Sequence, residues 1–382
     1  MSVFKDAYKS VFLDEWPYWA GGIGLATIAV FLWTAGQPWG VIGGYRNWGD
    51  WFFYAIDLYE KAPVSPLLST KSLMAGGLVL GALSASFISG QFGLRMPPWW
   101  ELGKGFAGGA LMGFGAVLAG GCNVGGFYSN IAALSLSGIL MWAGLLIGVV
   151  IGLKYLGWEM ESVSSDVLSC GVSIKPAGPT WKSIQPYIGW MLVILAFFSP
   201  LMYGKQYYTR MGIILLLGFL SGVAMHRSRF CFAAAFRDPF MTGEGEKVRY
   251  MFLSLLIYTM GVSILKWRGF VPEGWYVFTT AGWGAIVGGI IFGFGMILAG
   301  GCGSGTLFRV GEGQIKLIAA LVSMSLANSL TKHYLHVKFG KGIFLPDLMG
   351  GWIGAFVLVL GILVLWYWFS CWNEEKEKFV LF

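Results

Sequence analysis

The sequence predicts an all-α polytopic membrane protein, with roughly nine transmembrane helices plus about four short re-entrant helices in two pseudo-symmetric halves. Three observations lead there. Of the 382 residues 56% are hydrophobic and only 12% are charged, whereas a soluble domain carries about a quarter charged residues. Apolar stretches long enough to cross a bilayer recur along the chain. Finally, Gly113-Phe114-Gly115-Ala116-Val117-Leu118-Ala119-Gly120-Gly121-Cys122 returns as Gly293-Phe294-Gly295-Met296-Ile297-Leu298-Ala299-Gly300-Gly301-Cys302, eight of ten residues identical at an offset of 180. Gly108, Gly109 and Gly125 match Gly288, Gly289 and Gly305 at the same offset. Such self-similarity marks repeated structural units, and in an apolar chain it marks a transporter built from internal repeats.

A hydrocarbon core takes about 20 apolar residues to cross. Residues 16–36 form a first span, anchored at the interface by Trp16, Tyr18 and Trp33. Residues 39–59 are interrupted by Gly43, Gly44, Arg46, Asn47 and Asp50, and read as two short pieces or a re-entrant loop. Residues 73–92 are a span rich in small residues, ending at Arg95-Met96-Pro97-Pro98. The 17 residues 105–121 make roughly 25 Å at about 1.5 Å per residue, short of a full crossing. The chain is expected to turn at Gly120-Gly121 and resume as a short helix from Cys122. Residues 134–156 span again.

The second half repeats the plan. Spans are expected at 187–203, 211–225, 250–267 and 347–371, with 317–330 moderately apolar. A short amphipathic piece lies over 226–239, and 283–301 is a second broken helix with a short helix after Cys302. The organisation read from this is a membrane repeat over 1–158, a polar linker over 159–186, a second repeat over 187–372 and a charged, solvated tail over 373–382. Residues 1–15 are charged and run straight into the first span, with no cleavable leader. The formal charge of +7 belongs to loops and an anion path, and no basic cluster outside the membrane elements calls for nucleic acid.

Each broken helix carries chemistry. Backbone without partners is tolerated at membrane depth only where it is buried in protein or lines a cavity. A helix starting at mid-membrane presents free N–H groups and the positive end of its dipole, a site that attracts anions. Gly120, Gly121, Gly300 and Gly301 let a ligand approach the backbone; the same pairs also serve tight helix packing. A thiol at such a helix start is an S–H donor or, with its pKa lowered by the dipole, a thiolate. Cys122 and Cys302 would then occupy matching positions about a pseudo-symmetry axis.

Of the other cysteines, Cys231 lies between aromatic and basic residues and joins the candidate site, while Cys170 and Cys371 read as small hydrophobes. Arg229 and Arg237 are candidates for an anion entrance, with Arg227, Asp238, Arg309 and Glu312 nearby. The competing reading is interface snorkelling and an Arg–Asp pair. His226, His333 and His336 have no ligand spacing to the cysteines and read as interface residues. The five cysteines contain no C-x-x-C and no disulfide framework. No G-x-x-x-x-G-K-[ST] loop occurs, and no cofactor is called for.

These motifs resemble the YeeE/YedE family of transporters of sulfur compounds. The resemblance rests on Gly113–Cys122 followed by Asn123, on Arg229-Phe230-Cys231-Phe232-Ala233-Ala234-Ala235-Phe236-Arg237-Asp238, and on Gly293–Cys302 followed by Gly303-Ser304-Gly305. Ser65-Pro66-Leu67, Leu94-Arg95-Met96-Pro97 and Met241-Thr242-Gly243 resemble the YedE branch, associated with selenium metabolism. The resemblance implies an hourglass-like membrane protein of the cell (inner) membrane, with short helices pointing inward from both sides. It further implies a small sulfur- or selenium-containing anion as cargo, thiosulfate-like, passed by thiols at Cys122, Cys231 and Cys302. A small cytosolic sulfur-carrier protein is the partner it implies. The thiosulfate importers carry one more cysteine in the first short element of the N-terminal half. Here the position 180 residues before Cys231 is Trp51, and no cysteine precedes Cys122.

Three other functions compete with this one. An intramembrane thiol oxidoreductase needs an attacking and a resolving thiol close together, and no C-x-x-C supplies them. A soft-metal or small-solute channel would use the three cysteines as ligands. A purely structural subunit would be indifferent to Cys122 and Cys302. The expectation is a transporter, not an enzyme.

Overall fold

The computed structural model describes residues 6–164, 178–204, 206–278, 282–335 and 342–381. Cys170, His336 and most of the linker expected over 159–186 lie outside them. Every regular element among the described residues is helical. Eight helices are long and apolar enough to cross a membrane, or nine when the bent pair Asp6–Leu13 and Tyr18–Thr34 counts as one span.

The first half comprises α1 (Tyr18–Thr34), α2 (Ile42–Ala55), α3 (Thr70–Ile88) and α4 (Trp99–Ala119). A short helix α5 follows, π-wound over Asn123–Tyr128 and α-helical over Ser129–Ala132, and then α6 (Leu136–Ser162). The second half comprises α7 (Pro179–Met202), α8 (Gln206–Ser228), α9 (Phe232–Met241) and α10 (Glu246–Trp267). It closes with α11 (Trp283–Ala299), α12 (Gly303–Gly311), α13 (Ile315–Tyr334) and α14 (Trp352–Lys376).

Several boundaries differ from the sequence reading. The first broken helix is 21 residues long because it begins at Trp99, behind Pro98; at about 1.5 Å per residue it reaches roughly 31 Å and is no half-span. Within the interrupted stretch 39–59 one short helix forms, α2, rather than two pieces, and its Asn47 and Asp50 find partners. Asn47 accepts from Ser72 Oγ at 2.7 Å and Asp50 accepts from Ser329 Oγ at 2.6 Å. The linker is shorter than expected, since α6 runs to Ser162 and α7 starts at Pro179. The tail is exposed over 374–379, as expected, but is tied to the body on either side of that stretch. Asn373 is buried, donates to Pro239 O at 2.7 Å and accepts from Phe379 N at 3.0 Å, and Leu381 N bonds Phe240 O at 2.8 Å.

Glycine sets the helix spacing. A Cβ on Gly108 would lie 2.5 Å from Gly295 O, and one on Gly295 2.6 Å from Gly108 O. Gly115 and Gly288 stand in the same reciprocal relation, each 2.7 Å from the other's carbonyl oxygen. The repeated glycines of α4 and α11 therefore pack the two repeats backbone to backbone, antiparallel, as small residues do where membrane helices cross closely. Gly81 against Phe219 and Gly222 against Leu78 seat α3 on α8 likewise.

These contacts define two ends of the bundle. At one, the start of α1 meets the end of α8 through Trp16 N to Arg227 O, and Arg229 meets Glu15, Gln91 and Glu312. At the other, Lys266 at the end of α10 bonds Ala133 O at 2.8 Å, and Tyr59 stacks on His333 at the end of α13. From the interior, α2 and α5 run to the Lys266 end, while α9 and α12 run to the Glu312 end. Short helices of the two halves thus run in opposite directions, as an inverted repeat requires.

Candidate functional site

Four short helices among the described residues start in the interior, at Val41, Cys122, Cys231 and Cys302, the residues that cap α2, α5, α9 and α12. The long helices α4 and α11, which precede Cys122 and Cys302, each end on a left-handed glycine, Gly120 and Gly300, with φ 79°. Only glycine adopts that conformation without steric cost. It turns the chain sharply enough for the next helix to begin two or three residues later. The third break, before Cys231, uses Arg229 with φ 53°. A left-handed arginine stores strain of a kind found at functional sites.

The caps meet in the interior. A Cβ on Gly303 would lie 3.2 Å from Cys122 Cβ, 3.4 Å from Cys122 Sγ and 3.5 Å from Val41. A Cβ on Gly305 would lie 3.0 Å from Cys302 Sγ and 3.2 Å from Cys231 Sγ. The Cys231 and Cys302 thiols face one another across Gly305 and interact side chain to side chain. Cys122, Cys231 and Cys302 are 0%, 4% and 0% exposed, and all are free thiols. The arrangement is one thiol pair in the second half and a single thiol across Gly303 in the first.

Polar groups tie the halves together here. Gly303 N donates to Asn123 Oδ1 at 3.3 Å, and Gly305 N donates to Cys302 Sγ at 3.2 Å. Two amides at the start of α12 are therefore already occupied by this chain's own acceptors. Asn123 Nδ2, by contrast, is buried without a hydrogen-bond acceptor among the described residues, a donor left over beside Cys122. Tyr45 donates to Gly303 O at 2.7 Å.

Among the described residues no three His, Cys, Asp or Glu side chains come together as a metal-holding group. The thiols do not form the common ligand set that a soft-metal path would use. The sequence argument against thiol redox chemistry fails as geometry, however, because tertiary packing brings Cys231 and Cys302 together across 71 positions of chain.

The charged candidates lie toward the Glu312 end and are paired. Arg229 reaches Glu15 at 3.1 Å, Gln91 at 3.0 Å and the buried Glu312. Arg237 is held by Asp238, at 2.9 Å through Nε and 2.8 Å through Nη2, and Lys247 shares that carboxylate at 2.6 Å. His226, in the last turn of α8, is fully buried with Nε2 3.4 Å from Glu312, facing protein at that end of the bundle. Arg309 has no carboxylate at ion-pair distance among the described residues. It donates to Gly300 O at 2.7 Å and acts electrostatically on the Cys231 thiol. Lys266, 1% exposed at the other end, bonds Ala133 O and lies over the rings of Phe344 and Trp33 at 4.8 and 5.6 Å.

The position of the absent cysteine also shifts. In α2 the cap equivalent to Cys231 is Val41, not Trp51, which sits along the helix with its indole on Val64 O at 3.0 Å. A constant offset fails here because 81 positions separate Val41 from Cys122 but 71 separate Cys231 from Cys302, the connection after α2 being longer than that after α9. Val41 puts an apolar side chain where the second half has a thiol.

A family model described as sulphur transport matches residues 3–151 and 227–380, covering all four short helices. The chain belongs to the sulphur transport family. It is a multi-pass membrane transporter. The probable transporter YedE of Escherichia coli is 28% identical over 304 residues, 73% of this chain and 71% of that protein. The thiosulfate transporter TsuA of Spirochaeta thermophila is 39% identical over 118 residues, 31% of this chain and 35% of that protein. TsuA of Escherichia coli is 33% identical over 119 residues. These relatives are named as transporters rather than enzymes.

Tyr45, Tyr276, Lys266 and Val41 escaped the sequence reading. Tyr45 lay in a stretch already marked as broken, and its polarity could have drawn attention. Tyr276 and Lys266 carry no local signal, since loop aromatics and span-end lysines are ordinary in membrane proteins.

Proposed function

We propose that this protein moves a small sulfur-containing anion of the thiosulfate kind, or its selenium counterpart, across the inner membrane through the interior where the cap residues meet. The observation that carries this reading is the meeting of Cys122, Cys231 and Cys302, each capping a broken helix, around Gly303 and Gly305. The halves 1–158 and 187–372 form an hourglass whose waist is this meeting point. At the Glu312 end the unpaired Arg309 draws the anion toward Cys231 and Cys302; Lys266 is the corresponding cation at the other end. In the waist the thiols and the spare Asn123 amide replace water as donors, and glycine lets the anion pass close to backbone. Thiols suit such a step because they are weak donors: they hold an anion without trapping it. A small cytosolic sulfur-carrier protein would receive the cargo, and co-purification with the tagged chain tests for it.

The test is uptake by proteoliposomes of thiosulfate, sulfite, sulfate and selenite, compared for wild type, Cys122→Ala and Cys302→Ala. A hydrogen bond to a charged group is worth about 1.5–3 kcal/mol, so each substitution should slow flux by about tenfold to a hundredfold. Flux of one anion that both substitutions suppress supports the thiol path. Flux indifferent to both cysteines, or none for any anion, sinks it.

A further inference from the structure

Each conduit thiol is shut off from solvent, so something must close the path on the Cys122 side. The structure offers one candidate. Tyr276 lies in the segment between α10 and α11, and its hydroxyl sits 3.1 Å from the Cβ positions of both Gly40 and Gly125. Those glycines flank the starts of α2 and α5, where the two backbones approach so closely that a Cβ on Gly40 would be 3.4 Å from Gly125 Cα. The phenol therefore fills the notch between two helix starts, within electrostatic reach of Cys122. A Cβ at Gly40 or Gly125 would press on it, moving it by a few tenths of an ångström.

The way Tyr276 is held is unusual. Its φ is +62°, a left-handed backbone that a bulky aromatic residue rarely adopts and that stores strain. Its ring packs on Trp33 at 5.9 Å and Phe278 at 4.6 Å, and Trp33 is fixed in turn by donating to Tyr258 at 2.6 Å. Its hydroxyl has no hydrogen-bond partner among the described residues, although Tyr258 and Tyr128 nearby donate or accept within the protein. A strained ring wedged by packing, with its polar tip unspent, is a stopper rather than a strut.

We propose that Tyr276 closes the conduit at the Lys266 end, and that its withdrawal gives the cargo passage past Cys122, its free hydroxyl being a donor to the passing anion. This rests on the reading that Cys122 lines the conduit. The test measures access instead of transport. In the full chain with Cys170, Cys231, Cys302 and Cys371 changed to serine, Cys122 is labelled with the anionic probe 2-sulfonatoethyl methanethiosulfonate. Thiolate attack forms a mixed disulfide and releases methanesulfinate, and mass spectrometry follows the product. Tyr276→Gly removes the ring and suits the left-handed backbone; it should label about tenfold faster or more, a shift within reach of relieving one strained position. Tyr276→Phe keeps the ring and should stay within about threefold of its parent. Should the glycine variant not fold, Tyr276→Asn, which also tolerates a left-handed backbone, takes its place. Labelling no faster after loss of the ring, or equally fast in Tyr276→Phe, overturns the proposal. Because labelling reads access alone, normal uptake by Cys122→Ala would sink the thiol path and leave this result standing.

Discussion

Gly305→Ala tests the waist directly. The new methyl carbon would stand 3.0 Å from Cys302 Sγ and 3.2 Å from Cys231 Sγ, where relaxed contacts need about 3.5–4.0 Å. The Cys302 sulfur must move by roughly 0.5 Å and the Cys231 sulfur by roughly 0.3 Å to restore a relaxed contact. Overpacking of this sort costs about 1–3 kcal/mol. Replacing glycine within a helix returns about 1 kcal/mol, and position 305 lies inside α12. The net loss is about 0–2 kcal/mol, so the variant folds. The free space beside the two thiols is lost, and weakening one charge-assisted bond to the cargo by about 1.4 kcal/mol lowers flux tenfold. Proteoliposome uptake and thermal unfolding in detergent are measured together. A melting temperature near wild type with uptake reduced about tenfold is the expected result. Unchanged uptake would refute the reasoning, because the anion would then not pass between these sulfurs.

Two further predictions concern the frame that holds the site. Gly81→Ala puts a Cβ 1.9 Å from Phe219 O, which α3 and α8 relieve only by separating; unfolding in detergent should show a loss of about 3 kcal/mol. Glu312→Gln removes the buried charge that holds Arg229. The cost should be about 1–3 kcal/mol, below that of breaking a fully buried pair because Arg229 is partly exposed and keeps Glu15. It reads out as a lowered melting temperature.

Much of the fold was legible because its signals are local. A glycine pair after an apolar run, with cysteine next, announces both the end of α4 or α11 and the start of α5 or α12, since only glycine turns left-handed freely there. The break before Cys231 was read as one amphipathic piece because the turning residue is Arg229, whose left-handed conformation nothing local betrays. The helix over 99–119 is longer than the apolar run 105–121 because its first turns carry the polar residues Glu101 and Lys104. In the fold Glu101 pairs with Lys316, and Glu159 accepts from Trp100 and from Lys104 at 2.7 Å, so the polar first turn stays helical. At the tail, residues 374–379 are exposed as their charge suggests, while Asn373 turns inward to partners on Pro239 and Phe379 that local polarity does not announce.

The sequence by itself determined that this is a helical membrane protein of repeated halves, and that Cys122 and Cys302 are equivalent; composition and self-similarity are properties of the chain alone. Tertiary structure decided which thiols meet. Cys302 faces Cys231 across Gly305, while Cys122 faces Gly303, because antiparallel packing of α4 on α11 brings helix starts from opposite halves to one place. It also decided that Arg229 and Arg237 are neutralised by carboxylates, that Val41 takes the place of a fourth thiol, and that Tyr276 fills the notch between Gly40 and Gly125. Each of these depends on distances between residues far apart in the chain, which local patterning does not encode.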